Sequence, residues 1–239
     1  ALEAGELENG DFAIADPSDP DFGWTPTGRA TVEGGAGVLR EDDRLLTGFS
    51  QTFVIPDGAR ALQFTIVAAS FGTDPEPNPP DAFEAALLDA GTLTPLVGTV
   101  QGLTETDAFL NLQEDGRLYL GSAVTVPGAG PSGDVVALDT PLTVLVDLQG
   151  VAPGTVATLY FDLLGFGALD SSVIVDAVIL EVEAAPGTPT VDAGANQTLD
   201  EGGAFTGAGS FVDADVGESW TATVDYGDGS GVQALALTG

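Results

Sequence analysis

Carboxylates are the one reactive group this chain has in quantity. It carries 37 Asp and Glu against 5 bases, for a formal net charge of −32, and has neither His nor Cys. All the bases are arginine, at Arg29, Arg40, Arg44, Arg60 and Arg117, and no lysine is present. Without His or Cys there is no Ser-His-Asp or Cys-His nucleophile and no ordinary zinc or copper site. Without Lys there is no Schiff base. Without Cys there are no disulfides, which does not argue against export. What remains is oxygen chemistry: calcium, which takes carboxylate and carbonyl ligands, or a pair of acids acting on a glycosidic bond. Acidic pairs arise from composition alone in such a chain, so the hydrolase reading carries little weight and the chain is expected not to be an enzyme. The bulk of the acids read as a solvated surface that keeps the molecule soluble. Such a surface repels nucleic acid and anionic lipid, so neither is expected as a partner.

Within that background some carboxylates stand out. Asp176 lies in SSVIVDAVILEVE, where strict alternation sets it on one face with Ile174, Val178, Leu180 and Val182. A carboxylate on an apolar face is costly unless paired or metal-bound. It is therefore a calcium candidate, against a sheet-edge position or an arginine partner. Asp81 and Glu84 in PPDAFE follow a proline-rich loop and form a weaker pair, for calcium or as solvated charge. Asp213 and Asp215 in FVDADVGE, with Asp225 and Asp228 in DYGDG, match neither an EF-hand loop nor the Gly-rich nonapeptide. Asp-Gly at 228–229 reads as tight-turn chemistry, with a shared cation as the alternative. Asn196-Gln197-Thr198 is a glycosylation sequon, which matters only in a glycosylating host.

Alternating runs position these residues. ALQFTIVAAS (61–70), AFEAALLDA (82–90), RLYLGSAVTV (117–126), PLTVLVDLQG (141–150), ATLYFDLLGF (157–166) and SSVIVDAVILEVE (171–183) all read as strands; AFEAALLDA alone could also pass for a short helix, and its neighbours argue for a strand. Turn clusters such as DPSDPDFG, TDPEPNPPD and PGAGPSGD separate them. Short strands at regular spacing predict a β-sandwich. At AAPGTPTVDAG (184–194) the texture changes, which predicts a boundary between domains 1–185 and 186–239. The second segment has eight acids and no base, and again reads as strands: GGAFTGAGSF, SWTATVDYG and GVQALALTG. No apolar run reaches the ~18 residues of a membrane helix, so membrane insertion is not expected. The chain opens on Ala rather than Met, which fits a leader already removed.

LENGDF (7–12), GWTPTG (23–28) and VIVDAVILEVE (173–183) together resemble the jelly-roll modules found among carbohydrate-binding modules of secreted bacterial proteins. PPDAFEAALLDA (79–90) and DAFLNLQEDGRLYL (107–120) resemble segments of very large bacterial surface proteins. In the jelly rolls an Asp of the last strand helps hold a structural calcium with acidic and backbone oxygens near the N-terminus. The resemblance therefore makes Glu6 and Glu8 the partners of Asp176. PTVDAGANQTLDEGGAF, GSFVDAD and WTATVDYGDGSG resemble the PKD repeat, an immunoglobulin-like sandwich used as spacer and adhesion module. That sandwich takes seven strands in roughly 100 residues, so the resemblance implies that 186–239 is an incomplete domain. Either the chain is a fragment, or another chain supplies the missing strands.

The expected fold is thus all-β: a jelly-roll sandwich followed by a partial immunoglobulin-like sandwich. The expected role is a structural or adhesion segment of an extracellular, cell-surface protein, stabilised by calcium. It could be a fibre subunit, since a bare sheet edge recruits strands, with residues 1–8, ALEAGELE, as a candidate donor. Expected partners are further copies of itself or other domains of the same surface protein. The alternative is a non-catalytic carbohydrate-binding module. Sugar binding usually needs exposed aromatic faces beside polar groups, and the chain has 2 Trp and 3 Tyr. Trp24 and Trp220 read as core, and Tyr119 and Tyr160 could face either way.

Overall fold

The computed structural model describes residues 7–43, 46–72, 79–104, 106–166, 169–183, 189–195, 198, 200, 203–204, 206–213, 219–226, 229 and 231–237. The chain divides into two compact units, Ala1–Glu183 and Ala184–Gly239. Among the described residues every regular element is a strand, and every strand pairing is antiparallel.

The first unit opens with β1 (Thr25–Thr27), β2 (Arg29–Glu33), β3 (Ala36–Arg40), β4 (Leu46–Val54), β5 (Ala59–Ser70) and β6 (Ala82–Asp89). It continues through β7 (Leu110–Gln113), β8 (Arg117–Leu120), β9 (Val124–Thr125), β10 (Asp134–Val135), β11 (Leu142–Asp147), β12 (Val156–Leu164) and β13 (Ser172–Val182). These make a seven-stranded sheet, β1-β4-β12-β6-β7-β8-β10, and a six-stranded sheet, β2-β3-β13-β5-β11-β9. The alternation of the long strands explains the pairing of the sheets: Phe49, Phe83 and Phe161 of one face the interior with Phe64, Val144 and Val173 of the other, all at 1% exposure or less. Phe64 packs on Phe161 at 4.8 Å and Trp24 stacks on Phe161 at 5.8 Å. Burying aromatics of this size dominates core energetics. Trp24, at 4% exposure, is core as its position predicts.

RLYLGSAVTV, which alternation presents as one strand, is two. The chain turns at Gly121, placing β8 in the seven-stranded sheet and β9 in the six-stranded one. A side chain at Gly121 would collide with the backbone of Gly98.

The LENGDF stretch earns its composition. The Asn9 side chain donates to the carbonyls of Ile14 and Phe22 and accepts from the Ile14 amide. Gly10 lies so close to the Val178 carbonyl that a Cβ would run into it. Phe12 is fully buried, stacked on Trp24 at 5.1 Å and packed over Gly37. The Trp24 indole donates to the Asn9 carbonyl at 3.0 Å.

Strict alternation fails in β13. Ala177 takes a positive φ of 52°, and the register against β5 shifts between Asp176 and Ile179. The bulge puts Val173, Val175 and Val178 in the core and leaves Asp176 half-buried. Asp176 therefore does not share a face with Val178, because one left-handed residue resets the two-residue period.

The second unit contains β14 (Thr190–Asp192) paired with β15 (Ser210–Val212), and β16 (Ala222–Asp225) paired with β17 (Val232–Leu235). Trp220 is half-buried, edge-on to Phe211 at 6.1 Å. Val191, Val212 and Val232 are about two-thirds exposed or more, at 71%, 72% and 68%.

Candidate functional site

The seven-stranded sheet turns one face away from the core. Register fixes what stands on it. Gly48 on β4 pairs with Asp162 on β12, Asp162 with Glu84 on β6, Glu84 with Asn111 on β7, and Asn111 with Tyr119 on β8. Directly paired residues point to the same side of a sheet, so these form a row across five strands. One step along β12, Tyr160 pairs with Ser50 and Ala86 and stands on the same face. Its cross-strand neighbours are small, and the residue is half-buried. Tyr160, Asp162, Glu84 and Tyr119 are all half-buried, while Phe161 between them faces the core. The backbones of Gly102 and Gly133 flank the Tyr119 ring closely enough that a methyl on either would touch it. Gly48 makes room for Asp162, since a Cβ there would meet the carboxylate.

The electrostatics of the row are unusual. Burial first, then the charges of Glu84 and Asp107, push the Asp162 carboxyl up to about 7. Glu84 Oε1 accepts the Asn111 amide at 2.8 Å and the Thr106 hydroxyl at 3.3 Å. Asn111 is 4% exposed, and its Oδ1 is buried without a hydrogen-bond partner. The row is a line of acceptors next to two tyrosines, which suits a ligand that donates hydrogen bonds and offers a flat face.

A second cluster sits elsewhere in the first unit. Glu41, Asp81 and Asp170 bring one carboxylate oxygen each within 4.8 Å of one another. Glu41 and Asp81 are 3% and 1% exposed. Asp81 accepts from the Phe166 amide at 2.7 Å and from the Ser171 hydroxyl. Glu41 Oε2 accepts the amides of Asp170 and Ser171, both at 3.2 Å. These bonds pin the loop before β13 to those after β3 and before β6. Oxygen ligands of this kind fit calcium, and the hydrogen bonds already made show that the same acids work as a loop staple.

Asp81 and Glu84, read together in PPDAFE, part company: Asp81 enters the buried cluster and Glu84 the sheet row. The Asp176 carboxylate accepts the Ala177 amide at 2.6 Å. The Glu8 backbone is pinned through both its amide and its carbonyl to the Gln51 side chain, each at 2.8 Å. With Asp11, Asp21 and Ile14, Glu8 lines a depression of about 430 Å³. Glu6 lies outside the described residues, as do Asp215, Asp228, Asn196 and Gln197. Asp213 follows β15 and Asp225 ends β16.

No family model matches the chain, and no curated protein matches it. Among solved structures it is similar to a chain described as "CBM4 structure and function", at 14% identity and a TM-score of 0.33, over 74% of this chain and 100% of that one. At that distance neither ligand nor site carries over.

Proposed function

We propose that the chain is a non-catalytic glycan-binding module of a protein exported from the cell. The observation that carries this is the row Asp162, Glu84, Asn111 and Tyr119, with Tyr160 beside it, standing on the outward face of a rigid sheet. Sugars present alternating apolar CH faces and hydroxyls. Tyrosine rings meet the first and carboxylate and amide oxygens the second. Depletion of the protein from solution by insoluble polysaccharides tests it. Binding is expected to one or more, and Tyr160→Ala is expected to weaken it about tenfold, equivalent to ~1.4 kcal/mol. Retention that survives loss of both Tyr119 and Tyr160 would place the ligand elsewhere. The pair Asp162 and Glu84 is also of the type a glycosidase uses. The expected outcome is an intact polysaccharide; reducing ends that appear with wild type and vanish with Asp162→Asn would overturn the non-catalytic reading.

The second reading is a calcium-braced structural or adhesion segment, self-associating at a cell surface. The Glu41, Asp81 and Asp170 group favours the calcium part of it. Particle mass by light scattering, in calcium and then in excess chelator, separates the two. A calcium-dependent assembly supports the second, and a monomer in both buffers leaves the first.

A further inference from the structure

The sheet row has more acceptor oxygens than donors to satisfy them. The Asp162 carboxylate takes no hydrogen bond from the described residues, and Asn111 Oδ1 is buried with none. Glu84 takes two neutral donors through one oxygen. The described arginines are engaged elsewhere. Arg40 pairs with Glu33, Arg60 with Glu183 and Arg117 with Asp115, while Arg29 donates to the Glu41 carbonyl. No described cation neutralises the row.

Resting on the glycan reading above, we propose that Asp162, Glu84 and Asn111 set its specificity: the face takes uncharged, hydroxyl-rich polysaccharide and rejects chains bearing carboxylate or sulfate. A sugar hydroxyl donates to Glu84 and, above about pH 7, to the ionised Asp162, while the Asn111 amide holds Glu84 in place. A uronate places a second acid against Asp162 and Glu84 on a partly desolvated surface, where like charges repel most and no arginine fork is present to receive it. Discrimination of this kind works by building a penalty against the wrong ligand.

The test compares one soluble β-glucan with the same polymer oxidised at C6 to the uronate, by affinity electrophoresis at about pH 8.5, where Asp162 is ionised, in chelator at fixed ionic strength. The neutral polymer is expected to bind at least tenfold tighter than the oxidised one. Asp162→Asn and Glu84→Gln, each isosteric and checked for folding by thermal melting, are expected to narrow that ratio to threefold or less. The net charge of −32 disfavours any anion, so Asp57→Asn with Asp139→Asn, two exposed acids away from the row, serves as the matched control and should leave the ratio unchanged. Equal affinity for the two polymers overturns the proposal while leaving the glycan reading intact. So does equal narrowing by the control pair. If a panel of neutral polysaccharides is not bound at all, and Tyr160→Ala changes nothing, the glycan reading fails and this proposal falls with it.

Discussion

At the scale of single residues, Asp162 is where the sheet departs most from comfort. An ordinary Asp titrates at 3.8; here desolvation and then the charges of Glu84 and Asp107 hold it to about 7. Between those values the folded chain keeps a proton that the unfolded chain has given up. The folded state binds more protons across that window, so stability falls as pH rises from about 4 to about 7, and the full penalty is present above 7. Asp162→Asn removes both the charge and the titration. It is expected to raise stability at pH 8 by about 4 kcal/mol and to leave pH 4 nearly unchanged. Chemical denaturation of the two proteins at the two pH values reads this directly. A variant that is less stable at pH 8 would mean that Asp162 is ionised and paired in the folded state. The same residue was within reach of sequence reading: ATLYFDLLGF alternates, so Tyr160 and Asp162 share a face. Which residues meet them was not. Glu84, Asn111 and Asp162 sit on three strands far apart in sequence, and only the register joins them. Glu41 and Asp170 carry no sequence signal that separates them from the other acids.

At the scale of elements, most strands are legible because burial enforces a two-residue period, whereas AFEAALLDA, buried on both faces, lacks that period and reads as a strand only through its neighbours. The failures came where one residue breaks the period without changing composition. Ala177 does so in β13, and Gly121 between β8 and β9. The β13 bulge is tied to the N-terminal segment, since the Val178 amide donates to the Gly10 carbonyl at 2.8 Å while Gly10 packs under the Val178 carbonyl. Gly10→Ala forces those backbones apart and loosens Phe12 from its place over Gly37. The expected cost is about 2–3 kcal/mol, or a melting temperature lower by roughly 5–10 °C for a unit of this size. Gly150→Ala has open space around it and no positive φ. It is expected to lie within about 0.5 kcal/mol of wild type. Equal melting temperatures for all three proteins would show that the N-terminal segment does not brace the sandwich.

At the scale of the whole molecule, 37 acids against 5 bases make self-repulsion a general load on the folded state. Salt screens it, with a Debye length of about 10 Å at 0.1 M, so melting temperature is expected to climb with sodium chloride and then level off. A bound divalent ion adds a different increment. Glu41 and Asp81 are buried within 4.8 Å of each other. Two charges that close repel on the order of 3 kcal/mol at the effective dielectric of a protein site. A calcium ion placed between them would turn that repulsion into ligation, with Asp170 as the third oxygen donor. Calcium compared with sodium chloride of equal ionic strength is therefore expected to raise the melting temperature further, and chelator to reverse only that part. Asp170→Asn weakens one ligand while leaving its backbone amide free to bond Glu41, so it should abolish the calcium increment and keep the sodium response. If calcium adds nothing beyond screening, the three acids serve as a loop staple alone, held by Ser171 and the amides of Phe166 and Asp170. If the increment survives Asp170→Asn, the ion binds elsewhere on the acidic surface, and the Asp176 strand with the Glu8 depression is the next place to remove carboxylates.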